Sequence, residues 1–199
     1  MQRHPHQEQS LVLLKTDAVQ RSLVGEVIGR FEKKGLKIVA MKMVMPTEAQ
    51  LFNHYNKDDA WFLRKGEGVI ADIKAAGSEP EKEAIEYGKD IIRNTVRYMT
   101  ESPVVALVLE GVGAVSAVTR TVGTTEPATA DIGTIRGDYT IDSYAHATHE
   151  DRGVKNLIHQ SESVEEAQRE MALWFSAEEI HDYVTAQERI MYEAIKQSS

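Results

Sequence analysis

Pro103-Val104-Val105-Ala106-Leu107-Val108-Leu109, followed by Glu110-Gly111, is the strongest strand signal in the chain: a proline opens it and β-branched and aliphatic residues fill it. On its amino side Ile85, Ile91, Ile92, Val96 and Met99 recur at helical spacing. On its carboxyl side the residues from roughly Gly113 to Val122 read as another helix. Working outward, Ser10 to Lys15 is a second short β-type run. Asp17 then opens a helix whose apolar residues Val19, Leu23, Val24, Val27, Ile28 and Phe31 are three and four apart, and Gly35 ends it. Leu36 to Val44 alternates apolar residues with lysines, as a strand does, and Pro46 closes it; Thr47 caps a short helix through Tyr55.

Between Asn56 and Glu83 the period weakens, because Gly-Glu-Gly and Ser-Glu-Pro interrupt it. This predicts an exposed excursion with at most one short helix. A Gly/Thr/Pro-rich loop from Gly123 to Gly133 leads to Thr134-Ile135-Arg136-Gly137-Asp138 and a strand near Tyr139 to Ile141. Two helices, about Ser163 to Trp174 and Ala177 to Ile195, finish the chain. This order predicts an α+β sandwich in one domain, residues 1–199, with a small, mostly antiparallel sheet, helices packed on one face, and extra segments at about 56–89 and 142–155.

With 199 residues, 42% of them hydrophobic, the chain is long enough to bury a core without disulfides, and it has no cysteine to make any. That also rules out thiolate metal sites and a cysteine nucleophile. A net charge of −8 argues against broad contact with nucleic-acid phosphate, which needs clustered cations. The apolar run Leu11 to Leu14 is too short for a signal-peptide core or a membrane span, so a cytoplasmic protein is expected.

The chemistry concentrates in Asn156-Leu157-Ile158-His159-Gln160-Ser161-Glu162-Ser163, where a histidine follows an apolar pair just before a helix start. Ser161 or Ser163 can cap that helix with Glu165 or Glu166 in its first turn, and Glu170 lies where its carboxylate can lean back towards the ring. Lys15 closes the first strand, Thr124 and Thr125 sit in the Gly123 loop, and Arg136 stands in the turn beyond it. Cations, hydroxyls and a nucleophile are what a phosphoryl-transfer site requires, and no Walker-type glycine loop occurs. Each of these is ordinary alone: a lone histidine is most often a surface residue. A spacing of His146 and His149 beside Asp142 and Glu150 has no full ligand set, and no metal site is assigned to it.

Taken in order, Leu13-Leu14-Lys15-Thr16-Asp17-Ala18-Val19-Gln20-Arg21, Phe31-Glu32-Lys33-Lys34-Gly35, His54-Tyr55, Ser102 to Gly111, Gly123-Thr124-Thr125-Glu126-Pro127, Gly133 to Asp138, Asn156-Leu157-Ile158-His159 and Leu173-Trp174-Phe175 resemble the nucleoside diphosphate kinase family over nearly the whole length. The resemblance implies a ferredoxin-like core, a homo-oligomer, and ping-pong transfer of a terminal phosphoryl group from a nucleoside triphosphate such as ATP to a nucleoside diphosphate. Magnesium would be carried by the nucleotide phosphates. Position by position it makes His159 the nucleophile and Glu170 the carboxylate supporting the ring. Lys15, Tyr55, Thr125 and Arg136 would contact the phosphates, and Asn156 with Lys15 the ribose.

The departures are specific. Thr16 stands where the family has proline, and Gln160 stands beside the histidine in place of a small residue. A phosphate-binding arginine expected eight residues after Gly111 falls on Thr119, with Arg120 one place on. One helical step turns a side chain by about 100°. Losing one such preorganised donor costs about 2 to 4 kcal/mol of transition-state stabilisation. Trp61, Phe62 and Tyr87 are the candidates for stacking on the base. The alternative is a regulatory or scaffold protein of the same fold that binds nucleotides with weak or no turnover, for which Thr119 and Gln160 are the sequence support.

Overall fold

In the computed structural model, which describes residues 6–192, a four-stranded sheet in the order β2-β3-β1-β4 carries the molecule. The strands are β1 (Gln7–Leu14), β2 (Lys37–Val44), β3 (Val104–Val112) and β4 (Ile158–Gln160), and all neighbouring pairs are antiparallel. Strand β3 is the stretch read first, and it pairs with β1 along its whole length from Gln7↔Val112 to Leu14↔Val105.

Every residue from Ser10 to Leu14 and from Val104 to Gly111 is buried, so both central strands are covered on both faces. This corrects the expectation of helices on one face. A near-continuous apolar run, unlike an alternating one, is the mark of a strand with no solvent side. On one face Val12, Leu14, Val105, Leu107 and Leu109 pack with Val27 and Phe31 of α2 (Val24–Lys34) and Val118 and Val122 of α6 (Ala114–Val122). On the other, Leu11, Leu13, Val104, Ala106 and Val108 pack with Leu51 of α3 (Glu48–His54), Ile92, Val96 and Met99 of α5 (Ala84–Met99), and Met171 and Trp174 of α9 (Val164–Trp174). The α+β, ferredoxin-like architecture therefore stands, with a second helical layer added.

Local signals set several boundaries as read. Gly35 ends α2 at φ 95°, a left-handed conformation that glycine adopts freely. Thr47 caps α3 by accepting from Gln50 N, and Ser163 caps α9 by accepting from Glu166 N. The single helix expected from Asp17 is broken: α1 (Thr16–Gln20) stops, Ser22 takes φ 58°, and α2 begins at Val24.

Three other expectations are corrected. The excursion after Asn56 contains a helix of 17 residues, α4 (Asp59–Ala75), packed along α5. Gly66 and Gly88 allow that packing: a Cβ at Gly66 would lie 1.6 Å from Ala84 O, and one at Gly88 2.0 Å from Phe62 O. The strand near Tyr139 to Ile141 is replaced by helix α7 (Ile135–Tyr139), capped by Thr134, and the fourth strand is β4. The second terminal helix is a 3-10 turn at Ala177–Glu179, a stretch pinned to β2 by His181 N on Val39 O, and α10 (Ala186–Tyr192); its expected end lies outside the described residues. At the other end His6 accepts from Gly113 N through its carbonyl. Helix α8 (Tyr144–His149) occupies the segment before β4, and Asp142 there is held by Arg152 at 2.6 Å rather than by its neighbouring histidines. Among the described residues no helix is long and apolar enough to cross a membrane.

Candidate active site

Leu157 creates the geometry. It takes φ 66°, a left-handed conformation costly for a branched side chain, and Ile158 N closes the turn on Asn156 O at 2.8 Å. Asp17 holds it there: its Oδ2 accepts from Leu157 N at 3.0 Å, its Oδ1 from Ala18 N, and its own N–H donates to Tyr98 Oη at 2.9 Å. Lys15 N donates to Leu157 O at 2.8 Å, so the end of β1 and the start of β4 form one braced unit. Strand alternation then separates the side chains: Ile158 enters the core on the α2 side and His159, opposite Leu13, faces α3, α5 and α9.

The His159 ring is fixed from one side. Its Nε2 lies 3.0 and 3.1 Å from the Glu170 oxygens, and Ser161 Oγ donates to Glu170 Oε2 at 2.6 Å. A carboxylate only accepts, so Nε2 carries the proton and Nδ1 keeps its lone pair. Burial, reinforced by the Lys15 charge, lowers the His159 pKa to about 3, which keeps the ring neutral and nucleophilic at ordinary pH.

Asn156 joins the cations to the loops. Its Oδ1 accepts from Lys15 Nζ at 2.8 Å, its Nδ2 donates to Thr125 O at 2.9 Å, and its carbonyl accepts from Arg136 Nε at 3.1 Å. Arg136, nearly fully buried, also donates to Gly123 O, Ile158 O and Gln160 Oε1. Gln160 therefore braces Arg136, which removes one of the two supports for a non-catalytic reading. Burial and the Arg136 charge pull the Lys15 ammonium down to about 8.

Lys15, Tyr55, Thr125, Arg136, Asn156 and His159 all line one cavity of about 590 Å³, whose outer wall comes from α4, α5 and α8. Tyr55 sets its ring 5.7 Å from that of His159 and turns its hydroxyl to Met99 Sδ. Of the three aromatic candidates, Trp61 and Tyr87 line the cavity, whereas Phe62 packs against the core. Arg120 is not brought to the site: it is exposed on α6 and does not line the cavity, and Thr119 donates its hydroxyl to Val115 O. The buried face of α6 is set by Ala114, Val118 and Val122, and the register does not slip to present Arg120.

Two contributors escaped the sequence reading. Asp17 was read only as a helix start, although a carboxylate two residues after Lys15 was a usable signal. His54 was noticed only for its neighbour Tyr55. It is fully buried, its ring stands edge-on to His159 at 4.3 Å, and its Nδ1 accepts from Trp174 Nε1 at 3.2 Å. His54, His159 and Glu170 form the one three-residue group among the described residues whose ligand atoms cluster closely. His54 and Glu170 are buried, His159 is half-buried, and Glu170 already holds the His159 proton, unlike the oxygen cage a hard cation needs.

The family model described as nucleoside diphosphate kinase matches residues 8–63 and 83–180. The nucleoside diphosphate kinase of Pyrobaculum aerophilum is 44% identical over 178 residues, covering 87% of this chain and 97% of that one. That of Archaeoglobus fulgidus is 39% identical over 186 residues, covering 94% and 98%. The crystal structure of the Pyrobaculum aerophilum enzyme superposes with a TM-score of 0.84 at 43% identity, covering 88% of this chain and all of that one. A Borrelia burgdorferi nucleoside-diphosphate kinase, solved as a transition-state mimic with bound vanadate and ADP, gives 0.76 at 31% identity, covering 95% and 99%. The chain, with a braced histidine facing a cation-lined cavity, belongs to the nucleoside diphosphate kinase family of phosphotransferases.

Proposed function

We propose that His159 Nδ1 takes the terminal phosphoryl group from a nucleoside triphosphate and returns it to a nucleoside diphosphate. The observation that carries this is the clamp of Nε2 by Glu170 in a neutral ring, which leaves Nδ1 as the free nitrogen beside Lys15 and Arg136. In the first half the Nδ1 lone pair forms a bond to the γ-phosphorus. The bond to the β,γ-bridging oxygen breaks, and its electrons leave with the nucleoside diphosphate. In the second half a terminal oxygen of the acceptor diphosphate attacks that phosphorus, and the P–N electrons return to Nδ1. The ring gains positive charge in the first half, and Glu170 offsets it through Nε2–H.

Lys15, Arg136, Tyr55 and Thr125 face the phosphates in this reading, and the Asn156–Lys15 pair faces the ribose hydroxyls. Trp61, on the cavity wall, offers a face to the base. Magnesium enters on the nucleotide phosphates, since the one close ligand group among the described residues, His54, His159 and Glu170, is no oxygen cage for it. The described chain acts as one domain, because both core clusters share β1 and β3. It self-associates through β2: Met41, Met43 and Met45 on this edge are 57%, 61% and 54% exposed, an apolar row that a second copy would cover. A cytoplasmic setting supplies its nucleotide substrates.

Initial-rate kinetics with both nucleotides varied test the mechanism. Parallel double-reciprocal lines and an inactive but folded His159→Ala are expected; intersecting lines with an active variant would refute it. Light scattering of the wild type and Met43→Asp tests the assembly, and equal masses would refute the β2 contact.

A further inference from the structure

Two of the cavity's cations are immobilised by the protein itself. Lys15 Nζ is bound to Asn156 Oδ1, and four of the five Arg136 N–H donors are taken by three carbonyls and Gln160. Each can shape a fixed field, but following a group as it moves calls for a charge held more loosely. Lys57 is such a charge. It lies between the end of α3 and Asp58, the residue that caps α4, three residues after the His54 ring that touches His159.

Lys57 lines the same cavity, and its Nζ stands 3.5 Å from Glu166 Oε1. That is a charge pairing, longer than the about 2.7–2.9 Å of a fitted ammonium–carboxylate hydrogen bond. The two side chains are 29% and 20% exposed, so the pair is open to an incoming anion. Glu166 is one turn before Glu170 on α9, which places the Lys57 tether beside the carboxylate that clamps the reacting ring. The Glu166 carboxylate is separately anchored by Glu162 N at 2.8 Å, so it stays when Lys57 leaves.

We propose that Lys57 is a catalytic cation of this site, released from Glu166 to contact the phosphoryl group as it passes between the nucleotide and His159 Nδ1. The proposal rests on the phosphohistidine reading above. The Lys57 charge already reaches the ring, where it opposes protonation while Glu166 favours it. A phosphoryl group at Nδ1 is a stronger anion than a carboxylate and sits within that field. Neither Thr119, bonded back to its own helix, nor the exposed Arg120 supplies a cation there. Of the other lysines that line the cavity's outer wall, Lys65 leans over the Trp61 and Tyr144 rings at 5.9 and 6.0 Å, and Lys82 is bound to Asp90 at 2.8 Å.

The test is rapid-quench labelling of the full chain with γ-labelled ATP and magnesium, for wild type, Lys57→Met and Lys57→Arg, with ADP affinity measured by calorimetry on each. ADP carries no group in transit, so its Kd should hold in all three. Labelling should slow roughly 10- to 100-fold in Lys57→Met, the scale of losing one hydrogen bond to a charged group, and recover most of the way in Lys57→Arg. Wild-type labelling by Lys57→Met, or a loss that Lys57→Arg does not repair, overturns the proposal. A wild type that takes no label overturns the phosphohistidine reading instead, so the two failures are distinguishable.

Discussion

Replacing Glu170 by Gln keeps the side-chain shape and removes its charge. Glu170 is nearly fully buried and accepts from Ser161 Oγ at 2.6 Å and from His159 Nε2 at 3.0 and 3.1 Å. In the variant the amide oxygen can still accept from Nε2, and the Ser161 hydroxyl can turn to accept from the amide nitrogen, so the fold survives. The loss falls on transfer, when the ring becomes cationic. A hydrogen bond to a charged group contributes about 1.5–3 kcal/mol against about 1 for a neutral one. With the lost attraction between carboxylate and imidazolium, the barrier should rise by about 2–3 kcal/mol, or roughly 30- to 150-fold in rate. Single-turnover labelling from γ-labelled ATP reads this directly, with a thermal melt as the control for folding. Labelling within about threefold of wild type, in a folded variant, would refute the idea that Glu170 carries charge as well as orientation.

Three further outcomes follow from the same geometry. Lys15 is held down to about 8, so the free enzyme loses that charge as pH rises through about 8; kcat/KM for the nucleotide should fall there, and a profile flat to pH 10 would contradict it. Asp17→Ala removes the acceptor for Leu157 N and Ala18 N, and should cost about 2–4 kcal/mol in a denaturant titration while slowing labelling; an unchanged midpoint would contradict the brace. Gly88→Ala puts a Cβ 2.0 Å from Phe62 O, forcing α4 and α5 apart at about 1–3 kcal/mol, and an unshifted Tm would show that the helices are not in close contact.

Those particular residues also mark what a sequence can display. Strand β3 was legible from its unbroken apolar run, β1 from a shorter one and β2 from apolar residues alternating with lysines, and α3 and α9 because Thr47 and Ser163 cap them. Helix α4 was not, because Gly66 and Gly68 read as breakers. Gly66 is needed because the Ala84 carbonyl comes close, a contact 18 residues away that no local period encodes. Strand β4 has three residues and owes its existence to pairing with β1 rather than to propensity. In the site, Lys15, Tyr55, Thr125, Arg136, Asn156, His159 and Glu170 were legible as motif positions and meet around one cavity or its ring. Arg120 failed by one helical step. Asp17 showed only as a carboxylate two residues after Lys15, its part depending on a left-handed Leu157, and His54 was illegible as a site member because its part depends on a buried edge-to-face ring contact.

In the proposed mechanism His159 carries the phosphoryl group between two nucleotides. Its most direct test is intact mass after incubation with ATP and magnesium, followed by a chase with a different nucleoside diphosphate. One acid-labile phosphoryl group that requires His159 and leaves on the chase as the new triphosphate is the predicted result. A protein that binds ATP but gains no mass, or a phosphoprotein that persists through the chase, would contradict it.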